Sequence, residues 1–163
     1  MAIDYYLKLD SVEGESQATG HAKEIELLSW SWGASNPGSL HYGSGGGTGK
    51  ASAQDLSCSF RIGKGSFNLV KFCSNGKHLA SAILTARKTS GSGNPQDYLT
   101  ITLTEVIISS YQTGGSNGDD VPIESMSLNF AKIEYDYKVQ SEDGTSMVSA
   151  GKATWDLSKS TTS

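Results

Sequence analysis

The sequence IESMSLNFAKIEYDYKV at residues 123–139 decides the fold. Its apolar side chains occupy even positions from Met126 to Phe130, and then odd positions from Ala131 to Val139. Alternation with a period of two is typical of a half-buried β-strand. A one-residue change of register exchanges the faces of a strand, so the switch indicates a β-bulge or a crossing between layers. Because long bulged strands let a sheet coil and close, the sequence predicts a small closed or nearly closed antiparallel β-barrel in preference to a sandwich.

The same alternation recurs along most of the chain. A second change of parity, between Leu27 and Leu28, likewise indicates a β-bulge or a crossing between layers. Thr, Val, Ile and Tyr suit the pleated surface, and clusters of Gly and Ser separate the apolar runs. Strands are predicted at about 3–9, 24–34, 56–62, 79–89, 99–107, 123–139 and 147–157.

One short flanking helix is predicted at about residues 66–74. Ser66 is placed to cap its N-terminus, and Asn75 followed by Gly76 is a signal for its end. Two turns are too short to be stable alone, so the helix must pack on the barrel. The packed face is predicted to consist of Phe67, Val70 and Cys73.

Length and charge limit the possible partners. A chain of 163 residues fits a single domain that spans 1–163, with a frayed polar tail at 158–163. The formal net charge is -4, which opposes non-specific binding to nucleic acid or to an anionic membrane. No apolar stretch approaches the length of a membrane span, and the N-terminal sequence does not resemble a Sec-type signal peptide. The two cysteines, Cys58 and Cys73, are expected to be reduced thiols that pack as small hydrophobic residues.

A long glycine-rich arm runs from Ser35 to Ser52. Five glycines lie between positions 43 and 49, yet the arm also carries Leu40 and Tyr42. Apolar side chains on a long loop favour docking on another surface, with a neighbouring subunit as the simplest candidate. The alternative is a plain solvated loop.

Two segments resemble catalytic motifs but lack features that those motifs require. The run that ends at Lys50 lacks the first glycine and the final Ser or Thr of a phosphate loop. Residues 114–118 satisfy G-x-S-x-G around Ser116, but the sequence after them predicts another strand rather than the helix that a nucleophile elbow needs. This match is interpreted as a hairpin loop.

No other catalytic, cofactor or metal site is predicted. The histidines, His21, His41 and His78, are widely spaced and lack a metal-binding motif, so each is interpreted as a surface or packing residue. Arg87 and Lys88 form too small a basic patch for nucleic acid. The chain is therefore predicted not to be an enzyme.

Short segments distributed over nearly the whole chain resemble, in order, the hemolysin-coregulated protein (Hcp) family of type VI secretion. Any one of these segments is weak evidence for the resemblance, but the whole set in this order is specific for the family. The segments are HAKEI at 21–25, SWSWG at 29–33, GGG at 45–47, QDL at 54–56, NL at 68–69, GKH at 76–78 after Cys73, LTARK at 84–88, ITL at 101–103, TGGS at 113–116 and LNFA at 128–131.

The resemblance implies a barrel similar to a phage tail tube, with six copies joined in a ring. Rings would stack into the inner tube of a contractile machine, with sheath and spike proteins as partners and small effectors carried in the lumen. Assembly would be cytoplasmic, followed by secretion without a Sec signal peptide. No cofactor, nucleic acid or membrane insertion is implied.

The resemblance also assigns residues to two surfaces. Contacts between subunits or rings are expected at Leu40, His41, Tyr42, Gly45, Gly46, Gly47 and Lys50. The lumen wall is expected to include Thr113, Gly115, Ser116 and Asn117. Two alternatives remain open: a monomeric β-domain that binds carbohydrate or peptide through exposed aromatic residues, and a hydrolase that uses Ser116.

Overall fold

The computed structural model describes residues 2–38, 50–89, 94–142 and 146–163, and within them it contains ten strands and one helix. The predicted arm residues at 39–49 lie outside the described part of the chain. In chain order the elements are β1 (Ala2–Leu9), β2 (Ile25–Ser31), β3 (Ala34–Ser35), β4 (Ser52–Ala53), β5 (Leu56–Arg61), α1 (Ser66–Asn75), β6 (Leu79–Thr89), β7 (Gln96–Gly114), β8 (Ile123–Gln140), β9 (Met147–Asp156) and β10 (Thr161–Thr162).

Six of these strands close into an antiparallel barrel. Around the barrel they follow the order β8, β5, β2, β1, β6 and β7, and a pairing of β7 with β8 completes the ring. β8 has 18 residues and pairs with β5 through its first half and with β9 through its second half. β9 and β10 therefore extend the sheet beyond the barrel. The predicted β-barrel is confirmed.

Both predicted changes of parity correspond to irregular pairing. The change in β8 occurs at Ala131, where the β7–β8 ladder is interrupted and Glu105 of β7 has a φ of 53°. In both β7 and β8, the set of alternating side chains that faces the core changes at this point. In β2, the register against β5 shifts between Leu27 and Ser29. The shift in β2 re-aims the side chains that follow it, as a bulge does, whereas the β7–β8 register is the same on both sides of Ala131.

Alternating side chains fill the barrel interior. Buried apolar residues include Leu7, Leu56, Ile101, Leu103 and Leu128, none of which exposes any surface. These residues come from β1, β5, β7 and β8, so burial at every second position gathers one core from strands far apart in sequence.

The helix is confirmed, but its predicted cap is wrong, and so are two of the three residues predicted for its packed face, Phe67 and Val70. Gly65 is at the N-cap, while the Ser66 hydroxyl donates to the Glu124 carboxylate at 2.5 Å. The buried residues of α1 are Ser66, Leu69 and Phe72, whereas Phe67 is 69% exposed and Val70 is 46% exposed. The helix is turned so that Ser66 reaches a buried acceptor, which leaves Phe67 and Val70 facing outward.

A left-handed glycine ends the helix as predicted. Gly76 has a φ of 65°, and its backbone N–H donates to the carbonyl of Phe72. A residue with a Cβ adopts this conformation at a cost, whereas glycine adopts it readily.

The tail that we expected to fray is instead paired. Residues 161–162 form β10 against Trp155 and Asp156 of β9. Ser158 and Lys159 donate to the Asp156 carboxylate at 2.6 and 3.0 Å, which closes the turn between the two strands. Sequence polarity did not reveal this turn.

Burial of the two cysteines differs. Both thiols are free; Cys58 is buried in the barrel, and burial raises its pKa to about 12. Cys73 is partly exposed and packs against the core. Among the described residues, no helix has the length and apolar character needed to cross a membrane.

Candidate functional site

The base of the predicted arm is a separate two-stranded ribbon. β3 pairs with β4, the hydroxyls of Ser35 and Ser52 lie 3.1 Å apart, and this ribbon is not part of the barrel sheet. Leu40, His41, Tyr42, Gly45, Gly46 and Gly47 lie outside the described residues, and Lys50 is exposed beside the ribbon. The ribbon brings the two ends of the arm to one place.

The loop predicted for the lumen connects β7 to β8. Thr113 lies opposite Glu124 one pair before the β7–β8 ladder ends, and Gly115, Ser116 and Asn117 are exposed in the loop that follows. Ser116 donates its hydroxyl to the Asp119 carboxylate at 2.8 Å. The serine lies in a hairpin, as interpreted from the sequence, and not on a strand-to-helix turn.

The structure reveals a polar face that sequence reasoning missed. Four adjacent barrel strands present serines on the side opposite the core, and their pairing places these serines next to one another. We call this surface the serine-lined face. It consists of Ser29 and Ser31 of β2, Ser57 and Ser59 of β5, Ser125 and Ser127 of β8, and Ser110 of β7.

The serines form cross-strand hydrogen bonds. The hydroxyls of Ser29 and Ser59 lie 2.5 Å apart, and those of Ser110 and Ser127 lie 2.6 Å apart. Ser109, at the register shift in β7, also lies 2.7 Å from Ser127. None of the seven serines carries a charge, so the face offers hydroxyl donors and acceptors without strong attraction for either sign of charge.

Two hydrogen bonds accepted by the Asp55 carboxylate mark one border of this face. Asp55 accepts hydrogen bonds from the Ser109 hydroxyl at 2.6 Å and from the Asn129 amide at 2.8 Å. The signal for the face was present in the sequence as Ser-x-Ser at 29–31, 57–59 and 125–127. Within each strand alone, these serines are the polar positions that alternate with buried residues.

A buried carboxylate connects α1 to the barrel. Glu124 is 2% exposed and accepts hydrogen bonds from the hydroxyls of Ser66 and Tyr111. Burial, together with the hydrogen bond to Glu124, raises the pKa of Tyr111 to about 12. Buried charge requires such partners, and these fix the helix against β7 and β8.

His21, predicted to be a surface or packing residue, is the centre of a polar cluster. It is 7% exposed, and its Nδ1 lies 3.0 Å from both carboxylate oxygens of Glu24 while its Nε2 lies 3.0 Å from Asp97. The ring stacks on Tyr6 with centroids 4.7 Å apart. Arg87 donates from Nε to the other oxygen of Asp97 at 2.8 Å.

These contacts fasten the long loop between β1 and β2 to the barrel. Arg87 also donates to the carbonyl of Thr19 in that loop at 2.7 Å. Partial burial opposes ionisation of Asp97, but hydrogen bonds from Arg87 and His21 outweigh burial and hold the pKa of Asp97 below its ordinary value. The cluster therefore acts as a fastening between segments of the chain that are distant in sequence.

All three tryptophans of the chain line one groove. Trp30 and Trp32 come from the end of β2, Trp155 from β9, and Ile133 and Tyr135 from β8. We call this the aromatic groove; it encloses about 720 Å³. Among the described residues, its Trp32 Nε1 is the buried side-chain polar atom without a hydrogen-bond partner.

The apolar surface continues from the groove along the β8–β9 hairpin. Opposite residues in antiparallel strands share a face, and Tyr135 lies opposite Ala153 while Val139 lies opposite Val148. Tyr135, Tyr137, Val139 and Val148 are all exposed. A continuous exposed apolar face of this kind is typical of an interaction surface.

Comparisons with known proteins agree on one family. A family model described as type VI secretion system effector, Hcp, matches residues 6–137. The chain is 46% identical over 157 residues to Protein hcp1 of Pseudomonas aeruginosa, covering 96% of each chain.

Solved structures support the same relationship. A type six secretion system protein has a TM-score of 0.90 at 29% identity, with 99% of this chain and 100% of that chain covered. Hcp1 from Salmonella typhimurium has a TM-score of 0.81 at 34% identity, with 100% of both chains covered. A type VI secretion system effector from Yersinia pestis has a TM-score of 0.74 at 31% identity, with 94% and 99% covered.

Proposed function

This chain belongs to the Hcp family of type VI secretion system proteins, and from that membership we propose that six copies join into a ring and that rings stack into the expelled inner tube. The family expected from the sequence is thereby confirmed. In this proposal the protein is a structural subunit, not an enzyme, that is assembled in the cytoplasm and secreted without a Sec signal peptide.

The serine-lined face is the observation that carries the proposal. In a ring, one face of each subunit must line the central channel. A channel that transports varied cargo needs a hydrated wall that does not hold cargo by charge or by broad apolar contact. The seven serines meet this requirement, because they combine small size with neutral hydroxyls. We therefore assign the serine-lined face to the channel wall.

The loop at residues 113–117 is proposed to lie at one mouth of the channel. Thr113 and Gly114 pair with Glu124 and Ile123 at the end of the β7–β8 ladder, and Ser110 of the serine-lined face is on the same strand. Gly115, Ser116 and Asn117 follow directly and are exposed. Small effectors carried in the lumen would meet these residues on entry.

The arm is proposed to contact neighbouring subunits and the adjoining ring. Its β3–β4 base is a ribbon separate from the barrel sheet, which suits an element that reaches another chain. The contact residues remain Leu40, His41, Tyr42, Gly45, Gly46, Gly47 and Lys50. Sheath and spike proteins are the further partners of the assembled tube.

Light scattering coupled to gel filtration tests the ring directly. A ring of six 17.2-kDa chains has a mass of about 103 kDa, and negative-stain images should show annular particles. Replacement of Leu40 and Tyr42 by Asp should reduce assembly without altering the circular dichroism of the barrel; replacement of Ser39 and Ser44 in the same arm by Asp adds the same charge as a control. A chain that stays at 17.2 kDa across salt and protein concentration rejects the proposal and favours the monomeric binding domain.

A further inference from the structure

We propose that the aromatic groove receives the exposed apolar face of α1 from a second copy of this chain, and that this contact joins neighbours within the ring. The inference rests on the proposed ring. We call the α1 face formed by Phe67 and Val70 the helix knob; these residues are three positions apart and therefore lie on one side of the helix.

The groove and the knob have the same apolar chemistry. The groove is concave, has aromatic walls and lies within the size range of roughly 300–1,000 Å³ that is typical of binding clefts. Phe67 of the knob is 69% exposed, the largest exposed fraction among the exposed large apolar residues described. An isolated subunit leaves both surfaces in contact with water, which is unfavourable for apolar groups.

Charge favours the same pairing. Residues 61–77, which include α1, contain four basic residues and no acidic residue, whereas residues 133–157, which include the hairpin, contain five acidic and two basic residues. Lys64 contacts Glu13 and Lys152 contacts Glu134, but Arg61, Lys71 and Lys77 form no ion pair within the described residues. The segment around the knob is therefore positive, and the segment around the groove is negative.

These charges orient the second chain as it approaches, but they do not line the groove. Side chains alternate along β8, so Glu134 and Asp136 project from the face opposite Tyr135. Opposite charge on two approaching surfaces steers their encounter and suppresses the wrong orientation. A knob-to-knob contact would instead bring two basic segments together.

The two surfaces are too far apart to meet within one chain. Ser66, at the start of α1, contacts Glu124, whereas Ile133 of the groove lies nine residues further along β8, or roughly 30 Å of extended strand. Contact between two different surfaces of identical chains is heterologous, and it generates a ring when the rotation closes. The inference thus supplies the two distinct surfaces that a ring needs.

The unpaired indole N–H of Trp32 fits this assignment. A shielded donor without an acceptor is unfavourable, typically by about 1–3 kcal/mol. A backbone or side-chain oxygen from the entering chain supplies an acceptor that the described residues of one subunit do not.

Mixing two assembly-deficient variants tests the contact. Phe67→Asp removes the knob and keeps the groove, while Tyr135→Asp removes the groove and keeps the knob. Each alone should be monomeric, and an equimolar mixture should form a heterodimer of about 34 kDa that grows no further, because each chain contributes one intact surface. Asn68→Asp, which adds the same charge to α1 away from the knob, should assemble as the unsubstituted chain does.

A second groove variant controls for the case in which Tyr135→Asp fails to fold. Ala153 is exposed and lines the groove, so Ala153→Arg fills the site without disturbing the core. It should behave as Tyr135→Asp does, with an unchanged thermal unfolding curve. The inference is overturned if Phe67→Asp or Tyr135→Asp alone forms the full ring. It is also overturned if the mixture of these two variants stays monomeric at 100 µM or above.

The outcomes also separate this inference from the ring itself. If the unsubstituted chain forms rings and Phe67→Asp forms them equally well, the ring stands and the knob contact is wrong. If the unsubstituted chain never forms rings, both fail. Tryptophan emission adds an independent readout, since all three tryptophans line the groove: it should shift to longer wavelength when rings dissociate, and constant emission across dissociation contradicts the contact.

Discussion

His21 Nε2 lies 3.0 Å from Asp97 Oδ2, a contact that joins residues 76 positions apart. Together with the Arg87 hydrogen bond to Asp97, it fastens the loop before β2 to the strands on the far side of β1. The contact explains why a loop without regular secondary structure keeps a defined path across the barrel.

Asp97→Asn should reduce how strongly the free energy of unfolding depends on pH in the acidic range. The pKa of Asp97 is lowered in the folded protein, so its stabilising contribution is fully present above the unfolded value of about 3.9 and is lost as pH falls through the lowered folded value. The variant should lose about 1 kcal/mol at pH 7, discounted for partial exposure. Urea unfolding between pH 2 and pH 7 should show a shallower slope below pH 4 for the variant. Asp120→Asn, in an exposed loop, is the control, and identical slopes for Asp97→Asn and the unsubstituted chain contradict the account.

Tyr111→Phe should change stability at alkaline pH. Because burial and the Glu124 hydrogen bond raise the folded pKa of Tyr111 to about 12, its contribution is present below the unfolded value of about 10 and is lost as pH rises toward 12. The variant should be less stable at pH 7 by about 1–3 kcal/mol, since Glu124 loses a donor. Between pH 10 and pH 12, however, its stability should fall less steeply. Chemical unfolding across that range measures the difference, with the exposed Tyr137→Phe as the control; a steeper fall for Tyr111→Phe would count against the assigned hydrogen bond.

The two helix faces should respond differently to truncation. Leu69→Ala removes a buried side chain and should destabilise the monomer by about 2–5 kcal/mol. Phe67→Ala removes an exposed side chain and should change monomer stability by no more than about 0.5 kcal/mol. Unfolding is best measured at protein concentrations below assembly. Equal losses for the two variants would restore the helix face that we first predicted from the sequence.

The two thiols should differ in reactivity. Cys58 is buried with its pKa raised to about 12, so it should react with a disulfide reagent only after unfolding. Cys73→Ser leaves Cys58 as the single thiol and should give no rapid phase in the native state, whereas Cys58→Ser retains the more accessible Cys73. Rapid native labelling of the Cys73→Ser variant is inconsistent with the barrel core described above.

Much of the barrel follows from local patterns, because alternation and its changes of parity depend on neighbours in the sequence. The register shift near Leu27 and the interruption of the β7–β8 ladder at Ala131 were predicted in this way. The packed face of α1 was not, since Phe67 with Val70 and Leu69 with Phe72 are equally plausible apolar faces. Their choice depends on the distant Glu124, which holds Ser66.

The candidate site was harder to predict for the same reason. Each Ser-x-Ser segment is an ordinary exposed half of a strand, and only the pairing of β2, β5, β8 and β7 gathers the segments into one face. The His21 cluster likewise unites residues from three separate parts of the chain. The local segments are visible in the sequence, but the tertiary pairing that brings them together depends on contacts between distant parts of the chain.

Cryo-electron microscopy of the assembled particle tests the central claim most directly. We predict a six-membered ring in which the serine-lined face forms the channel wall, with Ser57 and Ser127 of every subunit directed toward the central axis. A ring with these serines on its outer surface, or with another face of the barrel along the channel, would contradict the account.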